Sequence, residues 1–156
     1  MKYFDIEINR VIMKYSQLPE DQRHALNVYV KMMRATNQAT NRIHGHLKDD
    51  NLTISQFAVL EALYHLGPLC QGELVQKILK SNANLTTVVD SLEKKTLVRR
   101  ERSINDRRRV TVYLTESGEE LIARVFPRHA KVVAKELDFL CGKEKDILMN
   151  ILRKFK

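Results

Sequence analysis

The sequence predicts a mainly α-helical protein that carries one short antiparallel β-hairpin. Apolar residues recur at helical spacing along most of its 156 residues. Residues 97–102 and 109–114 instead read as two short strands, the second alternating Val110, Val112 and Leu114 with polar side chains. Both chain ends carry more apolar helical positions than a small lobe would bury. A chain of this length is expected to form one domain with a sizeable core.

The N-terminal half divides into four predicted helices. Residues 1–18 are expected to form a short amphipathic helix, and residues 20–47 a longer one. Thr53 and Gln56 have the spacing of a capping box, which marks the start of the third helix. A Gly-Pro pair ends that helix, and residues 71–79 follow as the fourth.

The next helix has two contrasting faces. Leu85, Val88, Val89 and Leu92 form one apolar stripe, whereas the opposite face carries small hydrogen-bonding side chains. Such side chains suit the base edges of a DNA major groove. A helix pair followed by a hairpin is a winged helix-turn-helix, with the hairpin as the wing. The predicted DNA contacts are Asn82, Asn84, Thr86 and Thr87 on bases, and Ser81 and Ser91 on phosphates.

The positive charge of the chain is concentrated beside this helix. The net charge is +8, from 27 basic and 19 acidic residues. Eight basic and two acidic residues lie between Lys94 and Arg109, which gives +6 within that segment. A basic run is often only a solvated surface, but next to a polar-faced helix it indicates a phosphate-binding footprint.

The C-terminal segment predicts two further helices. Thr115 is placed to cap a long helix over residues 116–140, and Pro127 is expected to kink it or to split it in two. A last helix is expected over residues 143–155. The sequence therefore predicts a single domain over residues 1–156. In it, segments 1–47 and 116–156 form a helical dimerisation domain around a DNA-binding lobe at residues 52–115.

The order of these motifs resembles the MarR family of bacterial transcriptional regulators. The matching segments are LTISQFAVLEAL, GELVQKI, SNANLTTVVDSLEKKTLVRR and DRRRVTVYLTESGEEL, which span residues 52–122. Asp106 and Arg108 match the family's D-x-R wing signature. The resemblance implies that Arg108 enters the minor groove and that Asp106 holds its guanidinium, with Arg107 as a further positive charge. The closing LT-x-x-G-x-x-L motif is present as Leu114, Thr115, Gly118 and Leu121.

The resemblance implies a sequence-specific DNA-binding transcriptional regulator. The predicted form is a homodimeric repressor that a small phenolic or aromatic effector releases from a pseudo-palindromic double-stranded DNA operator. Met33, Asn37, Phe57 and Tyr64 are the candidate ligand contacts, although each is also explained as a core residue. The alternative is a thiol-based redox-sensing repressor that acts through Cys70.

The cysteines limit that alternative and suggest the compartment. Cys70 precedes a helix, where a thiolate is favoured, but the peroxide-sensing branch of the family uses a cysteine in its N-terminal helix. This chain has no cysteine before Cys70. Two cysteines are too few for a disulfide framework, and the sequence shows no signal peptide or membrane span, so a cytoplasmic protein is expected.

No cofactor, metal site or enzymatic activity is expected. His44 and His46 are two residues apart, so they would not converge on one ion if both lay on a helix. The sequence has no glycine-rich phosphate loop and no nucleophile–base pattern. An enzyme is therefore the least favoured class of function.

Overall fold

The computed structural model describes residues 18–78, 82–102 and 110–155, with side chains from residue 85 onward in the second range. The helix predicted over residues 1–18 lies almost wholly outside the described residues. The chain forms two compact units, residues 1–42 and 43–156. Helices and strands are numbered below in chain order over the described residues.

The described part of the first unit is one long helix. Helix α1 (Glu20–His44) begins with two acidic residues, which interact favourably with the positive end of the helix dipole. None of its residues is buried, and several large apolar side chains are exposed. The predicted end at residue 47 is three residues too late, because the chain tightens into a 3-10 helix (Gly45–Asp50). The exposed apolar residues are Leu26, Val28, Tyr29, Val30 and Met33.

The second unit contains the predicted winged helix-turn-helix. Its three strands form an antiparallel sheet in the order β1-β3-β2. The two-residue strand β1 was not predicted, because its length is too short to show a periodic pattern. The elements are α2 (Ile54–Leu66), β1 (Leu69–Cys70), α3 (Gln71–Ile78), α4 (Asn82–Lys94), β2 (Val98–Arg102), β3 (Val110–Leu114), α5 (Glu116–Glu136) and α6 (Gly142–Leu152).

The start and end of α2 follow from local sequence. Thr53 Oγ1 accepts a hydrogen bond from the Gln56 amide at 3.2 Å, and Gln56 Oε1 accepts one from the Thr53 amide at 3.0 Å. The predicted capping box is therefore confirmed. Gly67 ends the helix at φ +77°, a backbone conformation that glycine adopts without strain.

The core of the second unit is built around α2, which contacts α3, α4, α5 and β3. Its own contribution includes Phe57, Val59, Leu60 and Leu63. Apolar side chains from every neighbouring helix and strand close around them, so the helix-turn-helix is fixed to the rest of the unit by burial of apolar surface. The other buried apolar residues are Leu47, Leu52, Leu74, Leu85, Val89, Leu92, Val98, Val112, Ile122 and Val125.

The long C-terminal helix passes through its proline without interruption. Helix α5 is continuous from Glu116 to Glu136 with Pro127 inside it, so the predicted split is wrong. A proline removes one intrahelical hydrogen bond, and the burial of Ile122 and Val125 secures the turns before it. The helix also ends four residues before the predicted residue 140.

The last helix, α6, has no buried residue in this structure. Within the described ranges, no helix is long and apolar enough to cross a membrane. The large apolar side chains exposed on and around α6 are Phe139, Ile147, Leu148, Met149, Ile151, Leu152 and Phe155.

Candidate nucleic-acid interface

Helix α4 has the two faces that its sequence predicts. Leu85, Val89 and Leu92 are at most 1% exposed, whereas Thr86 and Thr87 on the other side are exposed. Helix α3 packs against α4, which completes the helix-turn-helix pair. Ser81 lies outside the described residues, as do the side chains of Asn82 and Asn84, so their DNA contacts stay predictions. The Thr86 and Thr87 hydroxyls are on a surface that DNA can reach.

The C-terminal end of α4 is tied to the protein by polar contacts that sequence reasoning missed. Ser91 is half-buried, and its hydroxyl accepts a hydrogen bond from Gln56 Nε2 at 2.9 Å. Lys95 Nζ donates to the Asn51 carbonyl at 2.6 Å and to Gln56 Oε1 at 3.4 Å. A hydroxyl that accepts a hydrogen bond can also donate one, and the predicted phosphate contact of Ser91 stays a prediction. Its position is nevertheless set from inside the fold.

The side-chain amide of Gln56 therefore links the start of α2 to the end of α4. It is only 5% exposed, yet its oxygen and nitrogen bond to Thr53, Ser91 and Lys95. A buried amide is costly unless it is hydrogen-bonded, and here both of its ends are. The result is a polar connection between the start of α2 and the end of the candidate DNA-reading helix.

Replacing Gln56 with alanine is expected to destabilise the protein by about 2–3 kcal/mol, because Thr53, Ser91 and Lys95 all lose the hydrogen bonds that the buried amide makes with them. Urea denaturation at fixed protein concentration measures the change. Ser91→Ala is the matched control, since it removes one bond of the network and should cost about 1 kcal/mol. A Gln56→Ala loss no larger than that of Ser91→Ala would show that the network is energetically unimportant.

The wing strands separate their arginines onto two faces. Arg99 forms an ion pair with Glu101 and lies over the Tyr113 ring, 4.5 Å from its centroid. Arg100, the next residue, points the other way and bonds to Asp90 and Glu93 of α4. Part of the basic run that predicted a phosphate footprint is therefore paired within the protein. Asp90 of α4 is one of these partners.

The tip of the wing lies outside the described residues. Asp106, Arg107 and Arg108 all belong to this segment, so the predicted minor-groove contact of Arg108 and the pairing with Asp106 stay predictions. Strands β2 and β3 on either side are paired in register from Val98 opposite Leu114 to Arg102 opposite Val110. The described part of the wing is therefore a regular two-stranded ribbon that ends at Arg102 and Val110.

Comparison with known proteins identifies the arrangement. The MarR family model matches residues 52–110. YkoM, an uncharacterised HTH-type transcriptional regulator of Bacillus subtilis, is 31% identical over 92% of this chain and 93% of its own length. The chain belongs to the MarR family. A second B. subtilis relative, the HTH-type transcriptional regulator MhqR, is 32% identical over 83% of this chain and 90% of its own.

A solved structure extends the comparison to the fold. The Bordetella bronchiseptica regulator BpsR, whose DNA binding is regulated by 6-hydroxynicotinic acid, superposes with a TM-score of 0.76 at 26% identity. The match covers 82% of this chain and 97% of BpsR. The predicted family, mainly helical fold and winged helix-turn-helix are thus confirmed, and the MarR-family chain is a transcriptional regulator.

The four candidate ligand contacts of this MarR-family chain fall in both units. Met33 and Asn37 are exposed on α1 in the first unit. In the second unit, Phe57 is 2% exposed within the core, and Tyr64 is 39% exposed and packs edge-on against His65. Phe57 would touch a ligand only after the core rearranged, so Tyr64 is the more accessible candidate of the two. Ligand binding by these residues stays a prediction.

Cys70 lies where the sequence placed it, directly before α3. It is half-buried in β1, opposite Thr111 of β3. Its amide donates a hydrogen bond to Glu73 Oε2 at 2.7 Å. The Glu73 carboxylate is therefore the hydrogen-bond acceptor of the Cys70 amide, directly before α3. The redox role of Cys70 stays untested.

A histidine cluster between the 3-10 helix and α5 was not predicted. His46 Nε2 and His129 Nδ1 are 3.1 Å apart, and the His129 ring also packs 4.5 Å from Phe57 and 5.4 Å from His44. Burial lowers the pKa of His129 to about 4, with smaller contributions from His44 and His46. Burial and the nearby Arg128 also lower the pKa of His46. Neutral rings are therefore favoured.

Among the described residues, no three His, Cys, Asp or Glu side chains are arranged to hold a metal ion.

The cluster lies beside a salt bridge that joins the same two elements. Arg128 of α5 bonds to the Asp50 carboxylate at 2.5 Å and to the His46 carbonyl at 2.9 Å. Arg124 approaches the same carboxylate at 3.4 Å. The residues involved are about 80 positions apart in sequence, so no local pattern indicates that they meet.

Proposed function

We propose that this MarR-family chain is a homodimeric repressor that a small aromatic or phenolic effector releases from its operator. The observation that carries the proposal is the exposed polar face of α4, opposite its fully buried apolar stripe. Two such helices, one per subunit, would enter successive major grooves. Two-fold symmetry then requires a pseudo-palindromic site with half-sites about 34 Å apart.

Exposed apolar side chains support the dimer. The α6 region presents large apolar residues that its own unit leaves uncovered. Contiguous exposed apolar surface on a water-soluble protein marks an interaction site. A second copy of the chain is the partner that a palindromic operator requires, and α1 offers a further set of exposed apolar residues for it.

The effector class is supported by one relative and by the chemistry of the chain. The DNA binding of BpsR is regulated by 6-hydroxynicotinic acid, which is a hydroxylated aromatic acid. Within the second unit, the candidate contact Tyr64 offers a ligand an aromatic ring and a hydroxyl. A ligand that releases DNA must bind the arrangement that cannot contact DNA more tightly than the one that can.

Fluorescence anisotropy with DNA from immediately upstream of the protein's own gene tests the proposal. We expect nanomolar binding that weakens steeply with salt and that at least one compound of a phenolic and aromatic-acid panel abolishes. Moving the half-sites apart by five base pairs should remove the preference over random DNA. Equal affinity for this DNA and random DNA would show that the operator does not lie in this upstream segment. Loss of binding on oxidation that Cys70→Ser prevents would favour the redox alternative.

Arg108→Ala is expected to weaken operator binding by about 1–3 kcal/mol without unfolding the protein, because a minor-groove arginine contributes attraction that alanine lacks. The measurement is operator affinity at fixed salt, with circular dichroism to verify the fold. Arg124→Ala on α5 is a control that also removes one positive charge. An operator affinity as high as that of the unmodified protein would show that Arg108 does not reach the groove.

A further inference from the structure

Arg100 joins the candidate recognition helix to the wing. Its Nη2 lies 2.5 Å from Asp90 Oδ1, its Nη1 lies 3.5 Å from Glu93 Oε2, and its Nη2 is also 3.4 Å from the Thr86 carbonyl. One guanidinium thus contacts three residues over two turns of α4. The planar guanidinium fixes direction as well as distance, which a lysine ammonium does not.

The backbone of the same residue makes a second connection. Strand β2 is at the edge of the sheet, and the Arg100 amide donates a hydrogen bond to Glu93 Oε1 at 3.1 Å. Glu93 therefore holds the strand edge and the side chain of Arg100 at once. An edge amide satisfied by a helix side chain fixes the distance between the strand and that helix.

The environment of Arg100 differs from that of its neighbour. Its side chain is 23% exposed, against 51% for Arg99, which lies on the opposite face over Tyr113. Two carboxylates neutralise the charge of Arg100 where it stands. A guanidinium that is already paired with two carboxylates attracts a phosphate only weakly. Arg100 is nevertheless one of the basic residues that predict the phosphate footprint from the sequence alone.

We propose that Arg100 is a positioning residue for DNA recognition: by holding Asp90 and Glu93 it sets the wing against helix α4, and so determines operator selectivity without contacting DNA. The inference rests on the proposed function. A reading helix and a wing discriminate between sequences only if both reach their grooves together, since base contacts specify and phosphate contacts position. Non-specific binding depends on charge and tolerates a misplaced wing.

The test compares Arg100→Gln with Arg99→Gln, which removes the same charge from the other face of the same strand. Full-length proteins are titrated with operator DNA, selected from random sequences where the upstream DNA is not preferred, and with random DNA. For Arg100→Gln we expect operator binding about tenfold weaker, with random-DNA binding within about twofold and an unchanged salt slope. Arg99→Gln should shift both affinities by a similar factor.

Partner variants separate positioning from simple charge removal. Asp90→Asn should reproduce the loss of selectivity, and adding it to Arg100→Gln should cause little further loss, because both remove the same contact. Arg100→Lys keeps the positive charge but lacks the planar guanidinium that contacts both carboxylates, so it should recover selectivity only in part. Full recovery by lysine would overturn the positioning role. So would an Arg100→Gln variant that weakens operator and random DNA equally with a salt slope lower by about one.

Hydrogen exchange in the free protein decides the point independently of any DNA. In Arg100→Gln, amides of β2 and β3 should exchange about tenfold faster while those of α2 and α5 keep their protection, because only the wing is released. Unchanged wing protection would overturn the inference even if the protein binds its operator. Faster wing exchange with no preferred DNA found for the unmodified protein would support the coupling and reject the proposed function.

Discussion

Gly118→Ala is expected to destabilise the protein by about 3 kcal/mol, near the upper end for overpacking, because the added methyl group meets backbone and not a movable side chain. An alanine Cβ at this position would overlap the carbonyl oxygen of Leu97 and lie 2.9 Å from its carbon and 3.3 Å from Leu114 Cδ2. Urea denaturation at fixed protein concentration measures the loss.

The backbone at this contact has little freedom to move. The Leu97 carbonyl accepts a hydrogen bond from the Thr115 amide at 3.1 Å. Thr115 Oγ1 in turn accepts from the Gly118 amide at 3.1 Å and donates to the Thr96 carbonyl at 2.6 Å. Relief of the overlap would separate the start of α5 from the turn between α4 and β2, and would break this set of bonds.

Gly72→Ala is the matched control for this prediction. Gly72 lies in α3, and nothing is within 4 Å of a Cβ built there. Alanine is the better helix former, so this change should leave stability unchanged or raise it by up to about 1 kcal/mol. If Gly118→Ala were as stable as Gly72→Ala, the close approach of α5 to Leu97 would not exist in solution.

The features predicted correctly from sequence are those that depend on neighbouring residues. The capping box of Thr53 and Gln56 acts over three positions, and the buried stripe of α4 repeats every three or four. Gly118 was recognised only as part of a family motif, whereas the structure supplies the physical reason for it. Local signals of this kind locate helices well, but they do not show what the polar side chains between them contact.

The features that were missed depend on contacts between distant residues. Gln56 and Ser91 are 35 positions apart, and His46 and His129 are 83 apart. Arg100 is one positive charge of the basic run in the sequence, and strand alternation puts it on the opposite face from Arg99, but no local pattern shows that it pairs with Asp90 and Glu93. For the candidate site, the sequence therefore predicted the reading face of α4 but not the polar contacts that position it.

His129 is expected to make the protein less stable in acid. Its folded-state pKa of about 4 lies below the ordinary histidine value of 6.5, so the unfolded chain binds a proton between these values and the folded chain does not. The stabilisation is complete above pH 6.5 and is lost as the pH falls towards 4. The shift corresponds to at most about 3 kcal/mol, at about 1.4 kcal/mol per pH unit, and because the ring is partly exposed, solvent screening reduces the expected loss to about 1–2 kcal/mol. His129→Gln should flatten this part of the stability curve, measured by urea denaturation at fixed protein concentration.

The carboxylates of the chain also titrate near the lower end of this range, so the informative quantity is the difference between the unmodified protein and the variant. His24→Gln is the control, because it removes a histidine from an exposed position on α1. Equal curves for His129→Gln and the unmodified protein would show that the cluster is not buried as described.

His46 has a pKa lowered in the same direction and contacts His129 directly. The two rings are therefore coupled: protonation of either ring places a positive charge beside the other, and a protonated His46 also lies near Arg128. Acid should accordingly weaken the junction between the 3-10 helix and α5 before it unfolds the sheet.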